Sequence, residues 1–92
     1  MFKITFDQKT SAYASKDFES NLMFIRINEH HFNDLLKIRG YVYINSIYES
    51  LGIKWDPKWD NVCYIYEEGK RIEFEIVVPF GTEQIKVNID LH

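Results

Sequence analysis

The segment from Lys54 to Asp60 contains the residues best suited to binding a partner. It reads Lys-Trp-Asp-Pro-Lys-Trp-Asp, so a Lys-Trp-Asp unit occurs twice. Pro57 is incompatible with the interior of a helix or strand, and the Asp-Pro pair favours a turn. Connections are rich in binding residues, and tryptophan is strongly enriched among interface hot spots. We therefore predict that Trp55 and Trp59 anchor a partner. The predicted polar rim around them consists of Lys54, Asp56, Lys58 and Asp60.

The same two tryptophans could instead fill the core between helix and sheet. Truncating a buried tryptophan costs about 3–5 kcal/mol of folding free energy, whereas truncating an exposed one costs little. The effects of Trp55→Ala and Trp59→Ala on stability therefore distinguish a binding role from a packing role.

A second candidate binding surface is acidic. Its residues are Glu67, Glu68, Glu73 and Glu75. If strand alternation holds, Glu73 and Glu75 point to solvent on one face, where they could steer a basic partner. The alternative is a solvated sheet face that discourages edge-to-edge aggregation.

The sequence contains no recognisable catalytic or metal-binding arrangement. His30 and His31 are adjacent, and neighbouring helical side chains point about 100° apart, whereas a chelating pair needs i, i+4 spacing. Cys63, Asp34 or His92 could join them, but their spacing does not support it. We therefore predict a non-enzymatic protein without metal or cofactor. The alternative, metal-dependent hydrolysis, rests on scattered carboxylates and this histidine pair.

Exposed tyrosines could bind a single-stranded nucleic acid. Candidate rings on probable strands are Tyr41, Tyr43, Tyr64 and Tyr66. Such proteins combine stacking rings with basic residues along the backbone path, and basic residues are sparse near these rings. A net charge of −3 also disfavours binding to duplex nucleic acid.

Length and composition indicate one small domain over residues 1–92. Cys63 is the single cysteine, which excludes an internal disulfide. The N-terminus lacks the apolar stretch of a signal peptide, and no apolar run approaches the ~20 residues that span a bilayer. We therefore expect a cytoplasmic protein that does not bind membranes.

Periodicity predicts the secondary structure of the first half. Alternation predicts a strand at 2–6, residues 8–20 are interpreted as a loop, and β-forming residues predict a strand at 22–27. A helix is predicted at 29–39, with Asn28 as its N-cap and Gly40 as its stop. A short strand at 41–43 and a second helix at 45–51 follow, with Asn45 as cap and Gly52 as stop.

The second half is predicted to be an antiparallel meander. Strands at 62–66, 72–78 and 85–91 are separated by the turn Glu68-Gly69-Lys70 and by the breaker Pro79-Phe80-Gly81. The apolar face of this meander needs a cover, which only the helices can supply. The predicted fold is α+β, with an antiparallel sheet of four or five strands and two short helices packed on one face.

The second half of the chain resembles small uncharacterised proteins of prophages and mobile elements in AT-rich Gram-positive bacteria. The resemblance is carried by residues 40–52, Trp55-Asp56 and the aromatic strand at 62–66. The shared elements are an extended apolar stretch, an Asn-started short helix ending in Leu-Gly, and a β-hairpin. The resemblance implies an accessory or anti-defence protein, such as an anti-CRISPR inhibitor, that acts by binding. The leading hypothesis is thus a non-catalytic protein-binding module. Single-strand nucleic-acid binding and a structural homodimer formed through sheet edges are the alternatives.

Overall fold

The computed structural model describes residues 2–92, which form two α-helices and five β-strands. The strands are β1 (Phe2–Phe6), β2 (Tyr41–Tyr43), β3 (Cys63–Ile65), β4 (Ile72–Val77) and β5 (Ile85–Leu91). The helices are α1 (Phe18–Arg39) and α2 (Ile44–Ser50), and a single 3-10 turn spans Pro57–Trp59. The predicted α+β class is confirmed.

The five strands are divided between two antiparallel sheets. The larger sheet has the order β1-β5-β4, and the smaller sheet pairs β2 with β3. The β4–β5 hairpin was predicted correctly, whereas the predicted pairing of β3 with β4 is wrong. The turn at Gly69 does form, with a φ of 84°, but it joins the two sheets. Alternation predicted β3 but not its partner, because β3 pairs with β2, from which α2 and the connection 51–62 separate it in the sequence.

Helix α1 is much longer than predicted. It occupies the end of the predicted loop at 8–20 and the whole of the predicted strand at 22–27. Asp17 is its N-cap, since the Asp17 carboxylate accepts a hydrogen bond from the Glu19 N–H at 3.2 Å. Gly40 ends the helix with a φ of 87°, as predicted. The predicted cap Asn28 is instead buried inside the helix. The helical period was obscured because polar and apolar residues alternate along its buried stripe. That stripe comprises Asn21, Ile25, Asn28, Glu29, Phe32 and Leu36.

Polar residues of α1 bond to the outer edge of β4. The Asn33 amide bonds twice to the Ile72 backbone, accepting from N–H and donating to C=O, both at 2.8 Å. One turn earlier, the Glu29 carboxylate accepts from the Phe74 N–H at 2.6 Å. Arg26 donates to the Phe74 C=O at 2.8 Å and pairs with Glu29 at 3.0 Å. These side chains act as a substitute for the missing neighbouring strand, and we call them the edge ladder.

The core lies between α1, α2 and the inner faces of both sheets. Its buried side chains alternate along β4 and β5 and recur at helical spacing in and directly after α2, at Ile44, Ile47, Tyr48 and Leu51. The two helices are joined at Asn28, whose side chain donates to the Phe24 C=O and accepts from the Ser50 hydroxyl. A fold organised in this way places the connection 51–62 beside the β1 edge of the larger sheet.

We expect Asn33→Ala to lower the free energy of unfolding by about 2 kcal/mol, because it leaves the Ile72 N–H and C=O without partners. Urea denaturation measures this loss. The matched control is Asp34→Ala, at an exposed neighbouring position, which should change stability by no more than about 0.5 kcal/mol. Equal effects of the two substitutions would contradict the role given to the edge ladder.

Candidate binding surface

The connection between α2 and β3 is held in place by Asn45. Its amide donates to the Asp60 carboxylate at 2.8 Å and to the Asp56 C=O at 3.2 Å, and its oxygen accepts from the Asp56 N–H at 3.4 Å. The prediction that Asn45 caps α2 is wrong: the N-cap position is Tyr43, which makes no side-chain capping bond. Asn45 lies in the first turn of the helix and is buried, so its side chain serves the connection instead.

The turn predicted at Asp56-Pro57 is present and short-range bonds reinforce it. The Asp56 carboxylate accepts from the Lys58 N–H at 3.1 Å, and the Trp59 N–H donates to the Asp56 C=O at 2.9 Å. Pro57 fixes its own φ at the first position of the 3-10 turn. The tryptophan-bearing segment therefore has a defined backbone conformation.

Trp59 faces inwards. It is half-buried and packs edge-on against Phe2, with ring centroids 4.8 Å apart. The Lys58 ammonium lies 5.1 Å from the centre of its ring. Burial raises the pKa of the Tyr48 hydroxyl; the neighbouring Trp59 indole N–H opposes that rise, and the Asp56 carboxylate adds to it. Trp59 therefore contributes to packing, and its predicted role as a partner anchor stays a prediction.

Trp55 faces outwards, with 56% of its surface exposed. It separates two shallow pockets. One has a volume of about 390 Å³, and both tryptophans line it together with Tyr43, Asn45 and Asp60. The other has a volume of about 510 Å³, and Lys3 of β1 contributes to it. We call Trp55, Tyr43 and the first pocket the Trp55 surface.

The outer face of the smaller sheet extends the Trp55 surface with apolar groups. Tyr41 and Tyr43 are both exposed, with ring centroids 5.5 Å apart, while Val42 between them is buried. Ile65 is exposed on β3 opposite Tyr41, and the Arg39 guanidinium lies 5.1 Å from the Tyr41 ring centre. The alternation Tyr-Val-Tyr was the sequence signal for this face. From the sequence alone, these tyrosines predict only a possible nucleic-acid surface.

The other two candidate tyrosines lie elsewhere. Tyr64 opposes Val42 and is half-buried, and its hydroxyl donates to the Ile89 C=O at 3.2 Å. Burial raises the pKa of the Tyr64 hydroxyl, and the charge of Asp90 adds to this. Tyr66 follows β3 and is exposed. Tyr64 thus links the two sheets, whereas Tyr41 and Tyr43 are available to a partner.

The predicted polar rim divides into two kinds of residue. Lys54 and Lys58 are exposed, and the Lys58 ammonium pairs with the Asp56 carboxylate at 3.5 Å. Asp56 and Asp60 also serve the conformation of the connection, through Lys58 N–H and Asn45 respectively. Their carboxylates therefore have structural partners within the chain.

The four candidate glutamates occupy two places. Glu73 and Glu75 are exposed on the outer face of β4, as the alternation predicted, and the Asn88 amide donates to Glu75 at 2.9 Å. Glu67 and Glu68 lie in the connection before β4, where Glu67 pairs with Lys70 at 3.7 Å. Because β4 and β1 are opposite edges of the larger sheet, the acidic residues on β4 and the Trp55 surface are separate.

The histidine pair lies on the exposed side of α1. Across residues 2–92, no three His, Cys, Asp or Glu side chains are close enough together to bind a metal ion. Neither α1 nor any other helix in this range has the length and apolarity needed to cross a bilayer.

The two tryptophans should respond differently to truncation. We expect Trp59→Ala to lower the free energy of unfolding by about 2–3 kcal/mol, because it removes the contact with Phe2 and part of the core boundary. Trp55→Ala should stay within about 0.5 kcal/mol of the wild type, since its ring is mostly exposed. Urea denaturation of both variants tests the difference, and a similar loss in both would contradict the assignment.

Comparison with known proteins identifies a family for the chain but no activity. No curated protein and no solved structure matches the sequence. A family model described as a family of unknown function, DUF6353, matches residues 2–90. Because that match covers almost the whole chain, the chain belongs to the DUF6353 family.

Proposed function

We propose that this chain is a non-catalytic protein-binding module whose partner contacts the Trp55 surface. The observation that carries the proposal is an exposed tryptophan on a connection with a fixed backbone. Binding orders side chains and loops at a cost in free energy, and a preorganised anchor reduces that cost. Asn45, Pro57 and the Asp56 cap provide this preorganisation for Trp55.

The residues around Trp55 define the chemistry of a suitable partner. Tyr43 and Trp55 contribute exposed aromatic rings to the pocket lining, and Asn45 and Asp60 contribute polar groups. Interfaces place such aromatic anchors at their centre and polar groups around them. A partner with a protruding apolar side chain, flanked by hydrogen-bond donors or a basic group, would complement this arrangement. Lys54 and Lys58 would then contribute to the rim, while Glu73 and Glu75, at the opposite edge of the sheet, would contribute only through long-range steering.

The resemblance of residues 40–92 to small prophage and mobile-element proteins supports an accessory or inhibitory role, including inhibition of a host defence system. In that role the module would act by occupying a surface of its target. The chain contains no assembled metal site within residues 2–92, and the proposal requires none.

We expect Trp55→Ala to lose a partner that the wild-type protein captures from a lysate of a Gram-positive host, because truncating a central aromatic anchor typically weakens binding by more than tenfold. Mass spectrometry of the retained proteins, followed by calorimetry with the purified partner, measures the loss. Phe80→Ala is the matched control, since Phe80 is a fully exposed aromatic residue in the β4–β5 connection. Equal retention by Trp55→Ala and wild type would overturn this proposal.

A second candidate function is single-stranded nucleic-acid binding, favoured by the exposed edge-to-face pair Tyr41 and Tyr43 beside Arg39. Bases stack on exposed rings, and arginine adds both charge and a planar surface. If this function holds, short oligonucleotides should quench the intrinsic fluorescence, with an affinity that falls as salt increases. Tyr41→Ala should then weaken binding, while Tyr13→Ala, at another exposed tyrosine, should not. Absence of quenching at low salt would dispose of this candidate.

A further inference from the structure

The backbone groups at the outer edge of β4 have hydrogen-bond partners along only part of the strand. Ile72 and Phe74 turn their backbone groups towards α1, where the edge ladder bonds to them. Strand alternation places the backbone N–H and C=O of Ile76 on the same outer side. Within residues 2–92, no side chain of α1 or of any other element bonds to those two groups. The edge ladder therefore bonds to Ile72 and Phe74 but does not reach Ile76.

A groove lies beside this open end of β4. It has a volume of about 730 Å³, and Leu22 and Met23 of α1 line it together with Ile76. Met23 is 65% exposed, and Ile27, one turn later on α1, is 59% exposed. An unpaired strand edge next to an apolar groove provides the two features that an extended peptide requires: backbone partners and a pocket for alternate side chains.

Acidic residues outnumber basic ones in the lining of the groove, which contains Asp17, Glu19 and Arg26. Arg26 is its one basic lining residue, and its guanidinium is already bonded to Glu29 and to the Phe74 C=O. Glu19 lies at the rim and forms no ion pair within the described range 2–92. Glu75 is exposed on the adjoining outer face of β4. An occupant with basic side chains would complement these carboxylates.

We propose that the open edge of β4 at Ile76 binds an extended basic segment of a partner protein as an added antiparallel strand. In that register, the side chain opposite Ile76 enters the groove against Met23, and the flanking side chains point to the outer face near Glu75. Apolar residues should therefore alternate with lysine or arginine in the bound segment. This site is separate from the Trp55 surface, because β4 and β1 are opposite edges of the sheet.

The test uses isotope-labelled protein and a synthetic octapeptide of alternating valine and lysine, blocked at both ends. We expect the largest amide shifts in the NMR spectrum at Ile76 and around Met23. N-methylation of the valine amides should abolish binding, because those amides face β4, whereas N-methylation of the lysine amides should preserve it. An octapeptide of alternating valine and glutamate should bind at least about tenfold more weakly.

Substitutions on α1 provide the matched controls. Met23→Lys should weaken binding of the valine-lysine peptide about tenfold, whereas Ile38→Lys, at another exposed apolar position of the same helix, should leave it unchanged. Trp55→Ala should also leave it unchanged, which separates this proposal from the one for the Trp55 surface. Shifts confined to other regions, or equal binding of both N-methylated peptides, would overturn the proposal. Concentration-dependent shifts at Ile76 without peptide, together with a dimer in light scattering, would also overturn the proposal, because they would show that the edge binds a second copy of the chain.

Discussion

The structure depends on the bonds between α1 and the outer edge of β4. A sheet edge carries unpaired N–H and C=O groups, and leaving them unpaired in a partly buried position costs folding free energy. Asn33, Glu29 and Arg26 supply the missing partners from successive turns of one helix. These bonds fix the axial position of α1 relative to β4, and with it the alignment of Ile25, Phe32 and Leu36 over the core.

This arrangement places the carboxylate of Glu29 in a buried position. Only 5% of its surface is exposed, and a buried carboxylate is tolerated when its charge is paired and its oxygens are hydrogen-bonded. Arg26 and Arg71 supply the positive charges at 3.0 and 3.7 Å, and the Phe74 N–H supplies the hydrogen bond. Because Arg71 directly precedes β4 and Phe74 lies within it, the Glu29 carboxylate connects α1 to the chain at two points.

Asn45 plays a comparable part at the other edge of the larger sheet. One buried amide holds Asp56 and Asp60 of the connection, so the conformation of the Trp55 surface follows from α2 rather than from the connection alone. The protein thus presents two edges with different properties. The connection 51–62 presents an exposed aromatic ring beside β1, and the open end of β4 presents backbone groups beside an apolar groove.

Local patterns in the sequence determined the α+β class, the strands at 2–6, 41–43 and 85–91, the β4–β5 hairpin and the stop at Gly40. These features depend on alternation, on glycine and on proline, all of which act within a few residues. The proline-containing turn of the Trp55 surface was predictable for the same reason. The sequence could not show which tryptophan is exposed, since both have identical immediate neighbours in the repeated Lys-Trp-Asp unit.

Tertiary structure decided the features that depend on distant partners. The run Leu22–Ile27 has a β-forming composition, yet it is helical because Asp17 caps the helix and the polar residues of its buried stripe have partners elsewhere. Asn28, Glu29 and Asn45 resemble caps or solvent-facing residues when considered locally. Their buried positions arise only where Ser50, Phe74 and Asp60 come to lie beside them. Pairing of β3 with β2, and the inward and outward directions of Trp59 and Trp55, were fixed in the same way. Hydrogen-bond partners and packing neighbours across the chain determine these features, and local sequence patterns contain no information about them.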